Sequence, residues 1–133
     1  MNPTKLTLAA LAAAFSFAVA ATAADALPPA AKKPGVTYAT DIKPIFDANC
    51  VKCHTAGKKP KAGLALDSLA GALKGKKDGV VIIPGNSAKS GLVSNVAHVG
   101  DDPDEFMPKG KGAKKLTDDQ IGLIRAWIDQ GAK

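Results

Sequence analysis

At 133 residues the chain fits one small domain, and 18 lysines and arginines against 12 aspartates and glutamates leave it a formal charge of +6. That excess does not by itself make a nucleic-acid binder, because no basic motif interleaved with aromatic residues accompanies it. Internal repeats, a second domain and a phosphate-cradling Gly-rich loop are likewise missing from the sequence.

Residues 1–23 read as a secretory signal. After Lys5 comes an uncharged, Ala-rich run from Leu6 to Ala24, and Ala21-Thr22-Ala23 has the small-x-small form of a cleavage site. The alternative is an uncleaved membrane anchor, since the run nearly reaches spanning length. No cysteine closes it, which excludes a lipid anchor on Cys. Residues 24–35, with three prolines between Leu27 and Gly35, read as a flexible linker, so the folded unit is expected over 36–133. That unit has only four aromatic residues, Tyr38, Phe46, Phe106 and Trp127, a thin supply for its core. A large, flat, apolar cofactor would make up the shortfall.

The first element is a helix in "YATDIKPIFDANC". Tyr38, Ile42, Ile45 and Phe46 share one face, Thr40 or Asp41 is expected to cap its start, and Pro44 is tolerated in the first turn. The helix delivers Cys50 at its end, into "CVKCH", which holds the only two cysteines and one of two histidines. Three readings compete. A disulfide between Cys50 and Cys53 would close a very short loop, where cross-linking gains least. A structural zinc site would need Cys50, Cys53, His54 and distant His98 as its whole set, poorly spaced for four ligands. Covalent haem attachment accounts for the whole motif: both thiols form thioethers to the haem vinyl groups, and His54 turns under the iron as proximal ligand. Export agrees with this third reading, which is preferred.

Downstream, Gly57, Pro60 and Gly63 mark a loop. Leu64 to Leu66 are expected to be extended, followed by a two-turn helix from Asp67 or Ser68. The run Val80 to Gly85 is short and β-branched, and its pairing with Leu64–Leu66 is the one candidate two-stranded sheet. Ser87 is expected to cap a helix carrying Leu92, Val93, Val96 and Val99.

Met107 is the only methionine left once Met1 goes with the signal, and it lies in a charged loop stiffened by Pro103 and Pro108. A thioether there is poorly placed to be core, and it would make a distal ligand that favours ferrous iron. His98, closing the preceding helix, is the less favoured distal ligand. Its other roles would be an interaction with the helix dipole or a hydrogen bond to a haem propionate. Three lysine groups (58, 59 and 61; 74, 76 and 77; 109, 111, 114 and 115) are read either as a basic rim around an exposed haem edge or as plain solubility. The last helix carries the clearest signals. Thr117 and Gln120 form a capping box, Leu116 can staple onto Ile121, and Ile121, Leu123, Ile124, Trp127 and Ile128 make an apolar face with Arg125 and Asp129 opposite. Gly131 supplies its stop. The architecture is therefore mainly all-α.

These residues resemble class I c-type cytochromes, and more narrowly the planctomycete-type cytochrome c domain. The matching stretches are "YATDIKPIFDANCVKCH", "GLALDSL", "VIIPGNSAKSGLV" and "FMPKGKGAKKLTDDQIGLIRAWIDQGA". The resemblance implies a small helical domain wrapped around one covalent haem c with its iron, the N- and C-terminal helices packed together. It implies Cys50 and Cys53 as thioether sites, His54 as proximal and Met107 as distal iron ligand. The family commonly has two prolines after the methionine, whereas here Lys109 follows Pro108.

The expected function is a periplasmic or otherwise exported, monomeric monohaem carrier of single electrons. It would meet redox partners with acidic docking surfaces, and neither nucleic acid nor the membrane if the signal is cleaved. Bond-making catalysis is not expected, since six-coordinate iron has no open position. The rivals are a haem-based gas sensor or peroxide-reactive protein with a labile sixth ligand, and a haem-free interaction domain stapled by metal or disulfide.

Overall fold

The computed structural model describes residues 27–133; the expected signal segment and its cleavage site lie outside them. Four α-helices form the frame: α1 (Lys43–Asn49), α2 (Leu69–Lys74), α3 (Gly91–Ala97) and α4 (Asp118–Asp129). The chain is all-α, and the only β feature among the described residues is the single bridge Lys76–Gly79.

A π-helical turn, Tyr38–Ile42, leads into α1. Its cap is Thr37, not Thr40 or Asp41: the Thr37 hydroxyl accepts from the Thr40 N–H, and Asp41 turns back to accept from the Thr37 N–H at 3.0 Å. The helical run thus starts earlier than expected. Lys43 donates to the Tyr38 carbonyl across the wide turn, next to Pro44, which has no N–H to give. Tyr38, Ile42, Ile45 and Phe46 are all buried, as their spacing requires.

That stripe meets α4. Trp127, fully buried, lies with its ring centroid 6.0 Å from Tyr38 and 6.3 Å from Phe46, the Phe46 pair edge-to-face. The Trp127 indole N–H and the Tyr38 backbone N–H both donate to the Lys133 carbonyl, at 2.9 and 2.8 Å. The N- and C-terminal helical elements are therefore packed together. In α4 the capping box is complete: Gln120 N–H donates to the Thr117 hydroxyl, and Thr117 N–H to Gln120 Oε1.

Three further expectations need correction. The stretch read as a flexible linker is a packed strap from Leu27 onward. Leu27 is buried, Ala31 N–H donates to the Gly122 carbonyl at 2.9 Å, Gln130 Nε2 donates to the Lys33 carbonyl at 2.7 Å, and Arg125 donates to the Pro28 carbonyl. Prolines cost it nothing, because it is held mostly through its own carbonyls. The expected pairing of 64–66 with 80–85 does not form. Leu66 N–H goes to the His54 carbonyl at 2.8 Å, and the Val81 carbonyl accepts from Leu92 N–H at 2.9 Å. Ser87 is not the cap of α3, which starts after Ser90; Asn86 caps a short 3-10 turn over Ser87–Lys89. Buried Ser87 bonds instead to Asp129, its N–H at 2.7 Å and its hydroxyl at 2.9 Å. Asp129 and Arg125 thus hold neighbouring segments rather than simply facing water.

Candidate haem site

Cys50 caps the C-terminal end of α1, its N–H bonded to the Phe46 carbonyl at 2.7 Å. The chain then doubles back, with Cys53 and His54 N–H groups both donating to the Cys50 carbonyl, at 3.1 and 3.0 Å. This tight turn brings both sulfurs and the imidazole to the wall of one cavity. Both thiols are free, Cys53 exposed and Cys50 half-buried. Burial pushes the Cys50 thiol up to about 11, so it stays protonated at neutral pH.

His54 is oriented by the extended piece that follows. Its Nδ1 lies 3.1 Å from the Leu64 carbonyl, which can only accept, so Nδ1 carries the proton and Nε2 keeps its lone pair. Backbone bonds and Asp67 hold this pairing in place: the Thr55 hydroxyl donates to Asp67 at 2.8 Å and the Ala56 N–H at 3.2 Å. The Thr55 hydroxyl is the main reason the Asp67 carboxyl titrates below its usual range. Such a bond to the far ring nitrogen fixes the tautomer that a metal-binding histidine needs.

The cavity has a volume of about 780 Å³, within the roughly 300–1,000 Å³ of cofactor pockets. Its floor is apolar, with Leu64, Leu66, Val81, Leu92 and Val96. Met107 and the loop from Pro108 to Lys114 form another part of its wall. Met107 is half-buried against the core, its N–H donating to the Asn95 carbonyl at 3.0 Å. His98 is not on the wall. It ends α3 in a left-handed conformation, stacks on Phe106 with ring centroids 5.0 Å apart, and places Nε2 2.9 Å from the Met107 carbonyl. Among the described residues no cluster of three or more His, Cys, Asp or Glu could hold a metal ion, and His98 is turned to this other task. Each lysine group reaches the cavity: Lys61 from the first, Lys76 from the second, and Lys109, Lys111 and Lys114 from the third, with Asp104 and Glu105 beside them.

Two thiols, an imidazole nitrogen and a thioether on one apolar cavity are a donor set that fits a haem. Residues 50–110 match the family described as Planctomycete cytochrome C. Over that span, a little under half of its length, the chain is similar to the planctomycete-type cytochrome c. The matched residues run from Cys50 to Gly110 and include His54 and Met107, and that family implies a covalent haem c with its iron. No curated protein and no solved structure matches the chain significantly.

The residues that steady the candidate ligands escaped sequence reasoning. Leu64, Asn95 and Met107 act through backbone carbonyls, which leave no mark in side-chain pattern. His98 stands out in the sequence, but for the helix dipole, a propionate or, less favoured, the iron, and not for the loop.

Proposed function

We propose that this protein is a c-type cytochrome, an exported carrier of single electrons, in which Cys50 and Cys53 would attach haem c and His54 and Met107 would hold its iron. One observation carries the reading: four residues from two separate chain segments share a single apolar cavity. Bound haem c supplies a one-electron ferric–ferrous couple. The chain's own residues do the rest. His54 presents Nε2 because Nδ1 is committed to Leu64. The Met107 thioether favours the reduced state and so raises the potential. Leu64, Leu66, Val81 and Val96 exclude water, and the lysines at the mouth attract acidic redox proteins. With His54 and Met107 both committed to it, the bound group would offer substrate no open position, so this reading includes no catalysis. The bonds to both the N–H and the carbonyl of Met107 argue against a sixth ligand that leaves easily. Among the described residues no helix is long and apolar enough to cross a membrane.

The test is optical. Protein expressed through a c-type maturation pathway should be low-spin, show the weak far-red ferric Fe–S band, and ignore carbon monoxide when reduced. Met107→Ala should lose the band and bind carbon monoxide. A high-spin or carbon-monoxide-binding wild type would overturn the carrier reading.

A further inference from the structure

We propose that His98 is a positioning residue that clamps the Met107 loop to the end of α3, so that the methionine sulfur is presented to the cavity. The inference rests on the reading of Met107 as the distal ligand.

The geometry is specific. Helix α3 ends at Ala97, and His98 follows with φ 55° and ψ 45°. A helix end in this left-handed conformation normally takes glycine, because any side chain is strained there. A histidine held at such a position is a departure from local preference, and its ring is engaged on one face and at Nε2. It lies parallel to Phe106, with an interplanar angle of 3°, and its Nε2 is 2.9 Å from the Met107 carbonyl. The carbonyl can only accept, so Nε2 is the protonated nitrogen. One helical turn earlier, the Asn95 carbonyl accepts the Met107 N–H at 3.0 Å. Both backbone polar groups of Met107 are therefore tied to the last residues of α3.

Little else would fix this loop. Around Met107 it contains Asp101, Asp102, Asp104, Glu105 and, beyond Pro108, Lys109 and Gly110, most of them exposed. Its other anchors are local, Asp104 N–H on Asp102 and Lys109 on the Asp104 carbonyl, apart from one long bond of 3.4 Å from the Asn95 amide to Glu105. Without the imidazole, the Met107 backbone would keep one tie instead of two, and its side chain would no longer be aimed. Helix α3 is itself rigid, with Leu92, Val93, Val96 and Ala97 buried. The clamp thus transfers the rigidity of the core to a ligand in a polar loop.

The test compares haem-loaded wild type, His98→Gly, His98→Gln and Met107→Ala. Glycine suits the left-handed position better than histidine, so His98→Gly should keep the helix end and the far-ultraviolet dichroism of the fold. It should nevertheless weaken the far-red ferric band and speed carbon monoxide binding to the ferrous protein at least tenfold. Glutamine can still donate an N–H to the carbonyl, and His98→Gln should recover a substantial part of the band. A His98→Gly protein with wild-type band and carbon monoxide behaviour, beside a Met107→Ala protein that has lost both, overturns the clamp and leaves the ligand assignment standing. A wild type without the band, unchanged by Met107→Ala, overturns both.

Discussion

Gly122 offers a test whose sign depends on whether the N-terminal strap is packed. It lies inside α4, buried, and a Cβ built on it would sit 2.9 Å from the Pro29 carbonyl oxygen and 3.4 Å from the Ala31 nitrogen. Two effects of Gly122→Ala oppose each other. Alanine in a helix interior gains about 1 kcal/mol over glycine. Forcing a methyl against a fixed backbone costs about 1–3 kcal/mol. In the full chain the clash offsets or exceeds the gain, and the net change runs from about zero to about 2 kcal/mol of destabilisation. In a shortened chain that starts at Val36 the clash is gone and only the gain remains. For a domain of this size 1 kcal/mol moves the melting temperature by roughly 4–8 °C. Thermal melts of the four proteins, followed by far-ultraviolet dichroism, close the cycle, and the strap's other bonds cancel between backgrounds. Gly122→Ala should raise the melting temperature by about 4–8 °C in the shortened chain and fail to raise it in the full one. An equal rise in both would mean that the strap is loose and that its bonds to Gly122 and Gln130 contribute nothing in solution.

Two further predictions concern charge. Asp41 is held down to about 2, first by Lys33 and then by the Thr37 N–H and Thr40 hydroxyl, against an ordinary value of 3.8. Because the folded value is the lower one, its contribution is complete above the unfolded value and is lost as pH falls through about 2. Asp41→Asn should therefore flatten the fall in melting temperature between pH 4 and pH 2, and curves of the same slope for both proteins would refute this. At the cavity mouth, electron exchange with an acidic redox protein should slow as salt shortens the screening length from roughly 30 Å to 3 Å. Charge reversal at Lys61, Lys109 and Lys114 should abolish that slope, and a salt-independent wild-type rate would assign these lysines to solubility instead.

What was legible in the sequence was local. The capping box at Thr117 and Gln120, the stripe from Tyr38 to Phe46 and the tight "CVKCH" turn each depend on residues within a few positions of one another. What was hidden spans long separations or runs through the backbone. Ser87 looks like a cap because Ser is a good cap, yet its hydroxyl is bonded to Asp129, 42 residues away. Residues 27–34 look like a linker because they have no periodicity, but carbonyls at Pro28 and Lys33 need none to reach Arg125 and Gln130. The extended piece at Leu64–Leu66 looks like half of a hairpin. Its backbone instead serves the His54 segment, which a pattern of alternating leucines cannot announce.

No residue of α4 lines the cavity, yet both segments that bring the candidate ligands are braced against it. The π-turn and α1, which end at Cys50, rest on Trp127 through Tyr38 and Phe46. Helix α3, which ends at the Met107 clamp, packs on α4 directly, and the turn before it is pinned by Asp129 to Ser87 and by the Ile128 carbonyl to the Gly85 N–H at 2.7 Å. The segments that carry His54 and Met107 are therefore braced by a helix that does not line the cavity. Interiors packed like crystals pass on shifts smaller than a methyl group. The Met107 thioether, as a candidate ligand, needs that constancy, because its sulfur sits on a flexible side chain in a polar loop. The element with the strongest local signals in the sequence is thus the one on which the ligand geometry depends.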